Sequence, residues 1–268
     1  MNRNRIKESR RIVVKVGTST LTHENGKLNI RRIENLCKTL CDLQNSGKEM
    51  ILVTSGAIGV GAGKIGLKSR PEETGKKQAL AAIGQCELMF MYDKFFGEYN
   101  QTVAQMLLTA LIVDHEESRK NVINTFRELM NLGVIPIINE NDTVATDELE
   151  GLNIGDNDTL SAIVAKLSAA DLLVILTDID GLYDKDPRSF ADAARIAHVP
   201  EITEEIVKLA GGAGSKFGTG GMATKISAAR IANTAEIPCC IIAGDNTENL
   251  YRLLDGADIG TVFGRLED

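Results

Sequence analysis

Short runs of β-branched and aliphatic residues alternate along this chain with longer stretches in which apolar positions recur every three or four residues. Residues 11–16 read as a buried strand, with Ile12, Val13, Val14 and Val16 apolar and Gly17 closing the run. Over residues 29–46, Ile30, Ile33, Leu36, Cys37, Leu40 and Cys41 share one helical face, and Gly47 supplies the stop. The same pattern predicts strands at 50–54, 102–108 and 134–138 and helices at 73–96 and 116–132. It continues with a helix at 158–168, a strand at 172–177, a helix at 224–235 and strands at 239–243 and 260–263. Alternating strands and helices imply the α/β class, with a mostly parallel sheet covered by helices on both faces. Ligands of such sheets bind beyond the carboxyl ends of the strands. The glycine-rich segments of this chain fall there. With five prolines and no Pro/Ser-rich linker, a single domain over 1–268 is expected.

Composition narrows the function. Hydrophobic residues make up 43 % of 268, enough for a sizeable core without metals or disulfides. A net charge of -7 speaks against nucleic acid, whose phosphates demand a basic face. No Trp and 4 % aromatics leave little for a base-stacking platform. No run approaches the roughly 20 apolar residues of a membrane span, and residues 1–11 are charged, without the apolar segment of a secretory signal. The five cysteines form no C-x-x-C pair and read as reduced, buried thiols. A cytoplasmic protein is expected.

Candidate chemistry sits at the strand ends. Lys15 lies inside an apolar strand, which is costly unless its ammonium meets an anion or snorkels from the strand end to solvent. Gly17 then allows close backbone approach, and Thr18 and Ser19 offer hydroxyls. Residues 218–225, GTGGMATK, lead into a helix whose free N–H groups and dipole suit a phosphate, with Lys225 completing the design. The segment is not a Walker A loop, and a flexible turn is the alternative reading of its glycines. Residues 61–66 read G-x-G-x-x-G but begin several residues after the strand, so the dinucleotide fingerprint does not apply. Ser55 reads as a donor to a substrate carboxylate. Asn141, Asp142, Asn157 and Asp158, in the clusters NEND and GDND, offer acceptors for an ammonium group, or turn and cap chemistry. Residues 143–154 are long enough to fold over a small substrate. Thr177 and Asp178 sit where a nucleotide would lie, while Asp180 and Asp186 mark turns. His23, His115 and His198 lie apart from these segments and read as surface or helix-end residues. No Ser-His-Asp set or His/Cys metal cluster emerges. A carboxylate acceptor needs no general base, because glutamate titrates around 4.3.

Taken in order, KVGTST from Lys15, VTSGAI from Val53, GQ at Gly84, QMLLT from Gln105, IPIINENDTVAT from Ile135, GDND from Gly155, LTDIDGLYDKDPR from Leu176 and GTGGMATK from Gly218 resemble the amino-acid kinase family. The resemblance covers about residues 12–263. It implies a three-layer αβα sandwich and ATP-dependent phosphorylation of the side-chain carboxylate of L-glutamate, the first step of proline biosynthesis. By the same resemblance Lys15 and Lys225 neutralise the transferring phosphoryl group and Asp158 holds both lysines. Ser55, Asp142 and Asn157 match substrate positions. Thr177, Asp178, Thr219, Gly220, Gly221, Met222, Ala223, Thr224 and Lys225, with Lys15, match ATP positions. Ala223 stands where many relatives carry Ser. The family uses Mg²⁺, for which no protein ligand is assigned. L-proline is the implied feedback inhibitor and a homo-oligomer the implied assembly, in a short form without the RNA-binding-type (PUA) C-terminal domain of many members. The alternatives are a family member acting on aspartate, N-acetylglutamate or carbamate, or a non-catalytic ligand-sensing domain of the same fold. N-acetylglutamate has no free ammonium for Asp142.

Overall fold

Runs such as Ile12–Val16 and Leu172–Leu176 form strands because aliphatic residues without alternation suit a parallel sheet buried on both faces. A computed structural model of the chain describes residues 3–23, 25–67, 71–109, 114–145, 156–210 and 221–266. Its strands are β1 (Arg11–Val16), β2 (Glu49–Val53), β3 (Val103–Leu108), β4 (Ile135–Glu140), β5 (Leu172–Thr177), β6 (Leu182–Tyr183), β7 (Arg195–Ile196), β8 (His198–Val199), β9 (Cys239–Ala243) and β10 (Thr261–Phe263). Its helices are α1 (Asn4–Glu8), α2 (Thr18–Leu21), α3 (Ile30–Asn45), α4 (Ala57–Lys64), α5 (Thr74–Glu98), α6 (Glu116–Asn131), α7 (Asn157–Leu167), α8 (Glu204–Ala210), α9 (Met222–Asn233) and α10 (Glu248–Leu254). Every strand and helix expected from the pattern is present, displaced by at most two residues at either end. The ends follow local chemistry. The Asn29 side chain accepts from the Arg32 N–H to start α3, and Gly47, at φ +95°, takes the left-handed turn after it.

The chain forms two compact units, one from Met1–Lys15 with Asp158–Asp268 and the other from Val16–Asn157. In the first the strand order is β1-β5-β9-β10-β8. β5 and β9 pair in parallel from Leu173↔Cys239 to Thr177↔Ala243, β10 runs antiparallel to β9, and β8 returns parallel to β10. The Asp171 carboxylate accepts the N–H groups of Arg10 and Arg11 at 2.8 and 2.7 Å, fixing where β1 begins. In the second unit the order is β3-β4-β2, all parallel, in register from Val103↔Ile135 to Leu108↔Glu140 and at Leu52↔Ile137. A mostly parallel sheet with helices is thus the observed class. Among the described residues β9 and β10 pair antiparallel, as do β6 and β7, and Thr22 with Leu28 in an isolated bridge.

The sequence pattern did not predict α4. Its sequence AIGVGAGK holds three glycines, each costing a helix about 1 kcal/mol relative to Ala. Packing against α5 explains it. A Cβ on Gly61 would lie 2.0 Å from the Leu80 carbonyl oxygen, and one on Gly84 would lie 1.8 Å from that of Ala57. Within the G-x-G-x-x-G run at 61–66, Gly61 therefore serves close helix contact and Gly63 close approach to the Gly26 backbone, and Gly56, at φ +96°, turns the chain from β2 into α4. Gly84→Ala is expected to destabilise the protein by about 1–3 kcal/mol or more, lowering the melting temperature by about 2–4 °C per kcal/mol. Unchanged thermal melting would show that the two helices can separate at little cost.

Candidate active site

Three charged side chains meet in the first unit. Lys15 is carried by β1, and its side chain is 8 % exposed. Asp158 stands in the first turn of α7, an anion at the positive end of the helix dipole, and is 1 % exposed. Lys225 lies in the first turn of α9, whose small inner residues Ala228, Ala229 and Ala232 let the helix lie close on β9. The Lys15 Nζ stands 2.6 Å from Asp158 Oδ1. Asp158 Oδ2 accepts from Lys225 Nζ at 3.1 Å and from the Thr224 hydroxyl at 2.8 Å. That hydroxyl also lies 2.8 Å from the Gly221 carbonyl oxygen, so one proton serves two acceptors and ties the start of α9 to Asp158. Burial alone would raise the Asp158 pKa. The adjacent Lys15 and Lys225 charges and the hydrogen bonds from Lys15 and Thr224 outweigh it, and the carboxyl is held below its ordinary 3.8.

The nucleotide positions are partly described. Thr177, buried at the end of β5, donates its hydroxyl to Asp178 Oδ1 at 3.1 Å. Asp178 is exposed and 3.3 Å from the Arg188 guanidinium. Gly221 precedes α9, and Met222, Ala223 and Thr224 open it. Thr219 and Gly220 lie outside the described residues.

In the second unit Ser55 is buried two residues past β2, and Asp142 is half-buried in the turn after β4. Asn157, the first residue of α7, keeps a buried Oδ1 with no hydrogen-bond partner among the described residues. Of the segment expected to cover a substrate, 146–154 lie outside the described residues, as does Gly155. Two buried polar residues were given no role from the sequence. Gln85 on α5 accepts from Asn139 Nδ2 at 2.8 Å, and Tyr92, a further two turns along, bonds to Thr54 at 2.8 Å. The available signal was a glutamine on the helix face that buries Ala81, Leu88 and Tyr92. Among the described residues no three His, Cys, Asp or Glu side chains converge as a metal site.

The model of the amino acid kinase family matches residues 10–243, and the chain belongs to that family. Within it, the chain is 55 % identical over 262 residues to the glutamate 5-kinase of Clostridium perfringens, covering 97 % of each protein. The glutamate 5-kinase of Listeria monocytogenes is 53 % identical over 262 residues, 97 % of this chain and 95 % of that one. The glutamate 5-kinase of Caldanaerobacter subterraneus is 54 % identical over 253 residues, and the match spans 94 % of this chain but 67 % of that longer protein. A UMP kinase from Bacillus anthracis shares the fold at TM-score 0.63 and 14 % identity, over 96 % of both chains.

Asp158→Asn removes the anion and leaves two buried ammonium groups, a change expected to cost about 3–5 kcal/mol. Because the folded-state pKa is depressed, the carboxylate's contribution is full above the unfolded value near 3.8 and is lost as pH falls through the folded value. Urea unfolding of both proteins across pH should therefore show their difference shrinking below about pH 3.8 and constant above it. A gap that persists unchanged into acid would contradict this assignment.

Proposed function

We propose that this chain, working as a single cytoplasmic kinase domain, transfers the γ-phosphoryl group of ATP to the side-chain carboxylate of L-glutamate. The product is L-glutamyl 5-phosphate, and the reaction opens proline biosynthesis. The observation that carries this reading is the pair of lysines on one buried carboxylate, in a chain 55 % identical to a glutamate 5-kinase over 97 % of its length. Nothing in these findings favours aspartate, N-acetylglutamate, carbamate or a ligand-sensing role.

Phosphoryl transfer needs alignment and charge neutralisation more than covalent help from the protein. Lys15 and Lys225 neutralise the transferring phosphoryl group, and Asp158 sets their positions. Ser55 donates to a substrate carboxylate, while Asp142 and Asn157 accept from the α-ammonium. Thr177, Asp178 and residues 219–225 hold the nucleotide. Mg²⁺ binds through substrate phosphates, water and one or two carboxylates rather than a dedicated protein cage, so it is read as entering with ATP. A homo-oligomer is the expected assembly.

Trapping acyl phosphate with hydroxylamine tests the function. Product with glutamate and ATP, exceeding that with aspartate or N-acetylglutamate, is expected, and no product with glutamate would refute it. In the same assay Lys15→Ala and Lys225→Ala should each lower kcat by about a hundredfold or more, the scale of one positioned donor. Near-wild-type turnover in either folded variant would remove that lysine from the chemistry.

Asp142→Ala should raise the KM for glutamate strongly and leave that for ATP nearly unchanged. Proline shares the α-carboxylate and a secondary ammonium, so it is read as a competitor at the same positions, and the variant should lose proline inhibition in parallel. Loss of ATP affinity instead would reverse the assignment of Asp142. Proline inhibition that survives while glutamate binding fails would separate the two ligands.

A further inference from the structure

A chain of hydrogen bonds in the second unit ends on a donor with no acceptor. The Glu140 backbone N–H can only donate, and it donates to Asn139 Oδ1 at 2.9 Å. That fixes the orientation of the Asn139 amide, so its Nδ2 faces Gln85. Asn139 Nδ2 donates to Gln85 Oε1 at 2.8 Å, which fixes the second amide in turn. Gln85 Nε2 is then left buried, without a hydrogen-bond partner among the described residues, on a side chain 9 % exposed. An unmade bond of this kind is costly, and native structures keep few of them without a reason.

The place of this amide supplies a reason. The Thr54 N–H donates to the Ile138 carbonyl at 2.9 Å, setting the residues after β2 beside the end of β4. Helix α5 touches both, with Gln85 on Asn139 and Tyr92 on Thr54. Gln85 thus stands at the carboxyl end of β4, the strand beside β2, where ligands of such sheets bind. Ser55 and Asp142 each follow one of those strands by two residues.

A group that carries only N–H donors cannot serve an ammonium; it requires an anionic or carbonyl oxygen. We propose that Gln85 is a specificity-determining residue whose Nε2 donates to the α-carboxylate of the amino-acid substrate. The inference rests on the function proposed above, in which Asp142 takes the α-ammonium of the same substrate. Asn139 is a positioning residue that aims the amide.

Steady-state assay of acyl-phosphate formation with Gln85→Met and Gln85→Glu tests this, with ATP KM and thermal melting followed in parallel. Losing a hydrogen bond to a charged group costs about 1.5–3 kcal/mol. Gln85→Met should accordingly raise the glutamate KM by about tenfold or more, with the ATP KM within about twofold of wild type. Gln85→Glu keeps an acceptor for Asn139 but turns a negative charge toward the substrate, so it should be the worse of the two. A structural role predicts the opposite order, because glutamate preserves the Asn139 bond and methionine does not. An unchanged glutamate KM in folded Gln85→Met, or Gln85→Glu as the milder variant, overturns the inference and leaves the kinase reading intact. A wild-type protein that does not phosphorylate glutamate overturns the kinase reading, and this inference with it.

Discussion

Two ammonium groups taken out of water need an anion beside them, and in this chain both Lys15 and Lys225 have Asp158. Desolvating each charge costs several kcal/mol, and only close, hydrogen-bonded geometry offsets that. The Asp158 carboxylate provides it by giving one oxygen to each lysine and adding the Thr224 hydroxyl on the second. The three side chains still sum to one positive charge. Such an arrangement is poor value for stability alone, since apolar residues of similar size commonly do as well. Under the function proposed above, its use lies in holding positive charge in fixed directions where water is scarce, so that little reorganisation accompanies phosphoryl transfer.

The geometry depends on three elements far apart in sequence. β1 offers Lys15 from a strand in which Ile12, Val13, Val14 and Val16 are sealed in the core, so the lysine has few ways to extend. α7 is buried along most of its length, through Leu160, Ala162, Ile163, Val164 and Ala165, which fixes the height of Asp158. α9 brings Lys225 in on a face of small residues. A change of packing in any of these would move a charge that cannot easily relax, so the core and the site are under one constraint.

That division explains what was legible in the sequence. β5 and β9 announce themselves as apolar runs, β1 as one interrupted by Lys15, and α3 as a clean helical stripe with an asparagine before it and a glycine after it. β7 and β8 are two residues each, too short for any period, and α4 is set by contact with α5 against its own composition. Lys15 was conspicuous as a charge inside an apolar run. That Asp158 should take Lys225 as well was implied by resemblance only, because spacing along the chain says nothing about residues 67 positions apart. The Thr224 hydroxyl shows the same limit. From sequence it matched a nucleotide position, and its bond to Asp158 required coordinates. Gln85 lies in the GQ motif but has no role legible there, since the direction of its amide is decided by a backbone donor on another element.

Several side chains that could have supported other chemistry are occupied or suppressed, although Cys86 on α5, expected to be buried, is exposed. His115 Nδ1 accepts from the Ser118 N–H at the start of α6, and His198 bonds through Nε2 to the Gly264 carbonyl. Burial pushes the Cys41 thiol up to about 11 and Cys240 up to about 12, and raises Cys37 and Cys239 well above their ordinary value. None of these four is a thiolate near neutral pH, and none serves as a ready nucleophile. A reaction whose nucleophile arrives already ionised asks for neither a base nor a thiol. It asks for fixed positive charge on the phosphoryl group and for donors that hold the acceptor still. Under the reading proposed above, the buried lysine pair answers the first demand, and Ser55 and the free Gln85 amide answer the second.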